Sequence, residues 1–396
     1  MLTNSADNPG DVAAEHARTL GAQVGLVYRA ALKGYAATLP EAAIEDLRAD
    51  PRVAFLQPDT EVHAVGTEPV KTGERVPTGV RRIGAATTTT AHTAATVNVA
   101  VIDTGIDLTH PDLTAVDGVN CLTPGLPALD DNGHGTHVAG TIAARNNGSG
   151  VVGVTPGTRV VATKVLSATG IGLTSQVICG IDWATGTRTD NNPSNDITVA
   201  NMSLGGSGTS DDNCGQDNRD AMHTAICNST EAGITYVVAA GNDGANFADT
   251  TPAAYPEVLT VTAMSDSDGT PGGTGGAPSC RTSEKDDHHA SFSNYAAQPR
   301  ETAHAIAGPG VCVESTSMLG GYRTLSGTSM ATPHVAGTVA LCLTSGACAG
   351  SPKQVIDRVR NDAQQHHTDT HGASGFTGSP SIDGRYYGYL AWSGNY

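Results

Sequence analysis

VNVAVID (residues 97–103) is a short run, almost wholly apolar, that ends in a carboxylate. Runs of the same kind recur at RVVATKVL (159–166), ITVANMSL (197–204), ITYVVAAGN (234–242) and VLTVTAMS (258–265). Each is too short for a helix that fills a core and is rich in β-branched residues, which predicts strands buried on both faces. Between them lie HGTHVAGTIAAR (134–145), SQVICGIDWAT (175–185) and RDAMHTAICNSTEAG (219–233), whose spacing predicts helices. Buried strands alternating with helices imply an α/β fold with a mainly parallel sheet covered on both sides. The segment 265–289, rich in glycine and charge, is expected to be a long loop.

The upstream region differs. VGLVY (24–28) and YAATL (35–39) predict strands, and PEAAIEDLRA (40–49) predicts a helix opened by Pro40. RVAFLQP (52–58) reads as a further strand closed by proline. We therefore expect a small α+β domain at 23–65 after a flexible segment at 1–22. A polar, Pro- and Gly-punctuated linker follows at 66–75, and the main domain spans 76–396.

The chain has 396 residues, of which 39 are acidic and 22 basic, giving a net charge of −17. Such an acidic balance excludes a basic footprint for nucleic acid. No apolar run is long enough to span a bilayer as a helix. The opening MLTNSADNPGDVAAEHARTL is too polar for a secretory signal, whereas the 8 cysteines, with no C-x-x-C pair, predict disulfides and an oxidising compartment. The expectation is a secreted monomer whose signal peptide is not part of this sequence.

Open parallel sheets carry their working residues at the carboxyl ends of strands. Asp103 ends the first run, and Asn242 closes another. His134 lies between Gly133 and Gly135 where a helix begins, and Ser329, within LSGTSMATPHVAG (325–337), sits at a second helix entry. A lone serine there would be an N-cap. With a base and an orienting carboxylate at the same edge it becomes a nucleophile. The Asn242 amide and the Ser329 backbone N–H are candidate oxyanion donors. An esterase-type G-x-S-x-G elbow is absent, since Ala331 stands at its second glycine.

VAVIDTGID (99–107), DNGHGTHVAGTIAA (131–144), NMSLGG (201–206), VVAAGN (237–242) and SGTSMATPHVAG (326–337) resemble the motifs of subtilisin-like serine proteases, in that family's Asp, His, Ser order. The resemblance runs over about 76–347. It implies a three-layer α/β/α fold, peptide-bond hydrolysis by Asp103, His134 and Ser329, and Asn242 as oxyanion donor. Gly170, Ile171 and Gly172 would flank the substrate backbone on one side, and Ser203, Leu204, Gly205 and Gly206 on the other. LKGYAATLPEAAIEDLRADPRVAFLQPD (32–59) resembles the family's ferredoxin-like propeptide inhibitor. That implies a zymogen, with the propeptide as intramolecular inhibitor, removed autocatalytically between Val65 and Glu74.

The resemblance further implies a structural calcium ion, with no organic cofactor. Its ligands would be the side chains of Asp112 and Asn147, the backbone oxygens of Arg145, Ser149 and Val151, and Glu74, where the family carries an amide. Hard oxygen donors of this kind suit calcium. Among the many pairings open to the cysteines, local geometry and the resemblance favour Cys121–Cys179, Cys214–Cys227, Cys280–Cys312 and Cys342–Cys348. QQHHTDTH (364–371) reads as a solvated turn and DGRYYGYLAW (383–392) as closing strand structure.

Overall fold

The computed structural model describes residues 1–3, 8–29, 33–56, 67–370 and 381–396. The chain forms two compact units, Met1–Ala64 and Val65–Tyr396. In the first, helix α1 (Pro9–Leu20) starts at Asn8, whose side chain accepts the Gly10 N–H, and stops at Gly21, where φ is 70°. A left-handed stop of this kind suits glycine. Strand β1 (Gln23–Tyr28) pairs antiparallel with β2 (Gly34–Thr38), and α2 (Ala43–Ala49) follows. Leu2 bridges Val53, and both pack with Val12 and Tyr35. The described residues 8–22 are therefore not the flexible segment expected, because α1 buries Val12, Ala13 and His16. The strand expected at 52–58 is reduced to the bridge at Val53, with residues 57 and 58 outside the described residues.

The second unit is built on an 8-stranded sheet. Its strands are β3 (Asn98–Asp103), β4 (Thr114–Asn120), β5 (Arg159–Lys164), β6 (Ile197–Met202), β7 (Thr235–Ala239), β8 (Leu259–Ser265), the short β9 (His288–His289) and β10 (Ala305–Pro309). The spatial order is β9-β8-β7-β6-β3-β5-β4, with β10 also on β8. All pairs are parallel except β8 with β9. Alternate residues point to opposite faces. Val99, Val101, Val199, Val237 and Val261 pack with α3 (His134–Ala143), α6 (Thr328–Thr344) and α7 (Pro352–Asp369). Ala100, Ile102, Ala200, Tyr236 and Val238 pack with α4 (Thr174–Thr187) and α5 (Ala221–Glu231). This is the three-layer α/β/α arrangement. Because strand order reverses on either side of β3, the carboxyl ends of β3 and β6 flank a crevice.

Several local expectations change. Thr67–Pro69 pairs with Thr90–His92, and Glu74–Arg75 pairs with Gly150–Val151, so described residues 67–75 are ordered parts of the second unit rather than a free linker. His366 and His367 belong to α7, and the His366 ring stacks on Trp392 at 3.6 Å, so they form no solvated turn. His371 lies outside the described residues. Within the loop after β8, Asp266, Asp286 and Asp287 are buried. Arg82 pairs with Asp287 at 2.8 Å, and the Gly272 and Gly273 N–H groups donate to its other oxygen. The disulfides are Cys121–Cys179, Cys214–Cys227, Cys280–Cys312 and Cys342–Cys348. The end of the chain forms a short hairpin, Ser381–Ile382 with Arg385–Tyr386, and Leu390 bridges Ala307.

Candidate active site

Asp103 is the last residue of β3 and has no solvent exposure. Its Oδ1 accepts from the Thr104 N–H at 2.7 Å and from His134 Nδ1 at 2.7 Å, while Oδ2 is buried without a hydrogen-bond partner. His134 opens α3 directly after Gly133, whose φ of 95° suits glycine. Gly135 is equally constrained, because a Cβ there would lie 2.1 Å from the Gly105 carbonyl oxygen. Burial pulls the His134 pKa down, but the charges of Asp103 and Asp130 and the bond to Asp103 outweigh it. The imidazole is thus held above its ordinary value.

Asp130, which the sequence reading did not single out, ties this corner together. Its Oδ1 accepts from Thr104 Oγ1, Asn132 N–H and Gly133 N–H, and its Oδ2 accepts from the N–H and hydroxyl of Thr136. One carboxylate therefore fixes the turn after Asp103 and both flanks of His134. The position of Asp130 four residues before His134, among turn-forming residues, is the one sequence signal that pointed to it. Beneath the same turn, the Lys164 ammonium donates to the Thr104 carbonyl at 2.6 Å and to Asp131 at 2.6 Å.

Ser329 is the second residue of α6 and is part-exposed between buried neighbours. Its hydroxyl donates to the Ser203 carbonyl at 3.2 Å and makes no hydrogen bond to His134. Such bonds often tighten only once substrate binds. Asn242 lies three residues beyond the end of β7 at Ala239, rather than in the strand as expected. Its Oδ1 accepts the Thr328 N–H at 2.8 Å and the Thr328 hydroxyl at 3.1 Å. That orientation leaves Nδ2 without a partner among the described residues, beside the first turn of α6, where N–H groups lack intrahelical acceptors. The exposed Asp243 donates its N–H to Asn294.

A cleft of about 590 Å³ opens from His134. Gly170, Ile171 and Gly172 form one wall, and Ser203, Leu204, Gly205 and Gly206 form the other. Leu166 and Val177 add apolar surface, and Ile171 stands 70% exposed at the rim. Two glycine-bordered backbone segments facing each other suit an extended chain laid between them.

Away from the cleft, Asp112 is buried. Its Oδ1 accepts from Asn147 Nδ2 at 2.8 Å, and its Oδ2 accepts from the Val151 N–H at 3.3 Å and the Tyr322 hydroxyl at 3.2 Å. Burial, reinforced by the Glu74 charge, pushes Asp112 up to about 6. Glu74 Oε1 accepts the N–H groups of Asn147, Gly148 and Ser149, while Oε2 is buried without a partner. Among the described residues, no lysine or arginine forms an ion pair with either carboxylate. Two facing carboxylates, one with an orphaned oxygen, fit a hard cation.

The chain is similar to known proteins. The Subtilase family model matches residues 94–381, and the Peptidase inhibitor I9 model matches residues 4–64. Subtilisin E of Bacillus subtilis (strain 168) is 37% identical over 333 residues, covering 83% of this chain and 74% of that protein. An extracellular serine proteinase of Thermus sp. (strain Rt41A) is 37% identical over 344 residues, covering 85% and 73%. The crystal structure of a cold adapted subtilisin-like serine proteinase superposes with a TM-score of 0.57 at 28% identity, covering 80% of this chain and 97% of that one.

Proposed function

The chain belongs to the subtilase family of serine endopeptidases and carries an N-terminal propeptide domain of the I9 type; on that premise we propose that Asp103, His134 and Ser329 are its catalytic triad and that it is a secreted zymogen. The observation that carries the assignment is the 2.7 Å bond from His134 Nδ1 to the buried Asp103, beside the cleft and at the switch point of the sheet.

In this reading His134 Nε2 removes the Ser329 hydroxyl proton as Oγ attacks the peptide carbonyl carbon. Asn242 Nδ2 and the Ser329 N–H receive the developing oxyanion. Asp103 holds the imidazole in the correct tautomer and stabilises the imidazolium. His134 then gives its proton to the leaving amine, and the acyl group remains on Ser329. A water deprotonated by His134 attacks that ester, and Oγ takes the proton back as the acid leaves.

Asp112, Glu74, the Asn147 side-chain oxygen and the backbone oxygens of Arg145, Ser149 and Val151 would hold calcium. The ion would supply charge neutralisation between the two carboxylates and take no part in the chemistry. The Asn147 amide, which now donates to Asp112, must turn to present its oxygen.

The propeptide is proposed to inhibit by laying its tail in the cleft as a product-like strand; that tail, residues 57–66, lies outside the described residues. Two processing positions fall within the range between Val65 and Glu74, the bond after Val65 and one near Thr72–Gly73, and the pairing of Thr67–Pro69 with Thr90–His92 favours the first. A cut near Thr72–Gly73 would strip that strand from its partner. The relatives matched include an extracellular proteinase, which supports secretion here.

Labelling with a fluorophosphonate and intact-mass analysis test the reading together. The wild-type protein should label at Ser329 and mature to a chain beginning at Gly66, while Ser329→Ala should do neither. Labelling that persists in Ser329→Ala, or cleavage of that purified variant at the same bond, would refute the assignment.

A further inference from the structure

We propose that Arg323 is a substrate-recognition residue, which receives an acidic side chain on the leaving-group side of the scissile bond. The inference rests on the reading of Asp103, His134 and Ser329 as the catalytic triad. Arg323 lies in β12 (Gly321–Leu325), which pairs with β11 (Val313–Ser317) in an antiparallel hairpin and runs into Ser329. Its side chain crosses to the His134 loop. A Cβ placed on Gly133 would lie 3.0 Å from Arg323 Nη2 and 3.2 Å from Cζ. The guanidinium therefore rests on the residue immediately before the catalytic base.

No described residue neutralises it. Nε is buried without a hydrogen-bond partner, and the guanidinium makes no ion pair among the described residues. Other arginines without an ion pair find a different partner: Arg145 and Arg360 donate to carbonyl or hydroxyl oxygens, and Arg281 and Arg385 lie over aromatic rings. Arg75, Arg82, Arg188, Arg300 and Arg358 each pair with a carboxylate. Its charge is felt at the base, since it opposes protonation of His134. A part-buried arginine without a partner loses hydration and gains nothing in return, unless a carboxylate arrives with the ligand.

The position selects which part of the substrate that is. The cleft, taken in the proposed mechanism as the acyl side, is bordered by Asn132 and His134, but not by Gly133 or Arg323. A chain laid in that cleft with its carbonyl at Ser329 must leave past His134, where the hairpin stands. The planar fork of arginine matches a carboxylate in a bidentate manner, so glutamate or aspartate is the fitting side chain. Both processing positions have glutamate close downstream, Glu68 after Val65 and Glu74 after Thr72.

Internally quenched peptides test this with the enzyme matured from the full chain. They share one acyl-side sequence and carry Glu, Ala or Lys at each of the first three positions after the scissile bond. At one of these positions, kcat/KM should favour Glu over Lys by about tenfold, the scale of one charge-assisted hydrogen bond. Arg323→Gln should bring the ratio to about one and Arg323→Glu should invert it, while added salt should compress the wild-type ratio. A ratio is insensitive to the fraction of variant that folds. Hydrolysis of all peptides with a ratio near one at every position overturns this proposal alone, as does a Glu preference that survives Arg323→Glu. Failure to hydrolyse any peptide overturns the triad, and this proposal with it.

Discussion

Replacing Asp130 probes how the site is held without touching the reacting atoms. The carboxylate accepts from Thr104 Oγ1, Asn132 N–H, Gly133 N–H, Thr136 N–H and Thr136 Oγ1. In Asp130→Ala these donors lose their acceptor. Asp130 is only half-buried, so water replaces part of the loss. At about 0.5–1 kcal/mol net per bond, the substitution should cost about 3 kcal/mol of stability. The catalytic effect is separate, because the lost bonds fix both the turn after Asp103 and the residues flanking His134. Loosening that geometry should lower kcat by about 10–100-fold, or about 1.4–2.7 kcal/mol of barrier. KM should barely move, since Asp130 is not among the residues that line the cleft.

Asp130→Asn separates charge from geometry. It keeps an oxygen for the Thr104, Asn132 and Gly133 donors but removes the negative charge that helps hold His134 above its ordinary pKa. A base of lower pKa stays neutral to lower pH, so the acid limb of kcat/KM should move down while most of kcat survives. Steady-state kinetics from pH 5 to about 9 on a p-nitroanilide substrate, with thermal melts of each variant, read both effects. If Asp130→Ala retains wild-type kcat and an unmoved acid limb, Asp130 does not position His134.

Two further outcomes follow from the burial pattern. Chelation should destabilise the Ser329→Ala protein by about 3 kcal/mol if calcium had been present at 100 times its Kd, lowering its thermal midpoint, and Asp112→Ala should abolish the response; equal midpoints with calcium and chelator would remove the ion from the 145–151 loop. Burial holds His137 down to about 3 and His304 and His334 to about 4, so stability from their neutral forms is full above about pH 6.5 and drains as pH falls toward 4. Each should cost about 2 kcal/mol by pH 5, with Asp266, raised to about 6, returning about 1 kcal/mol; urea melts of Ser329→Ala that match at pH 7 and 5 would contradict this.

What the sequence made legible was decided by burial. The runs that became β3, β5, β6, β7 and β8 are covered on both faces, so each is continuously apolar and reads as a strand without help. β4 was not legible: TAVDGVN sits at the sheet edge, mostly half-buried, and its polar residues break the pattern. The end of α7 reads as a solvated turn because QQHHTDTH is wholly polar, and only contact with Trp392 shows that His366 is packed. The residues of the proposed triad were legible because each closes or opens an element and sits among small residues that leave it room. Asp130 and Arg323 carry no such local mark. Asp130 matters through the donors that converge on it, and Arg323 through what does not: it rests on Gly133, which the chain reaches from a distant segment, and finds no carboxylate there. If His134 is the base, as proposed, an arginine resting on the residue before it with Nε buried and unpartnered is placed to receive a carboxylate that comes and goes with each turnover.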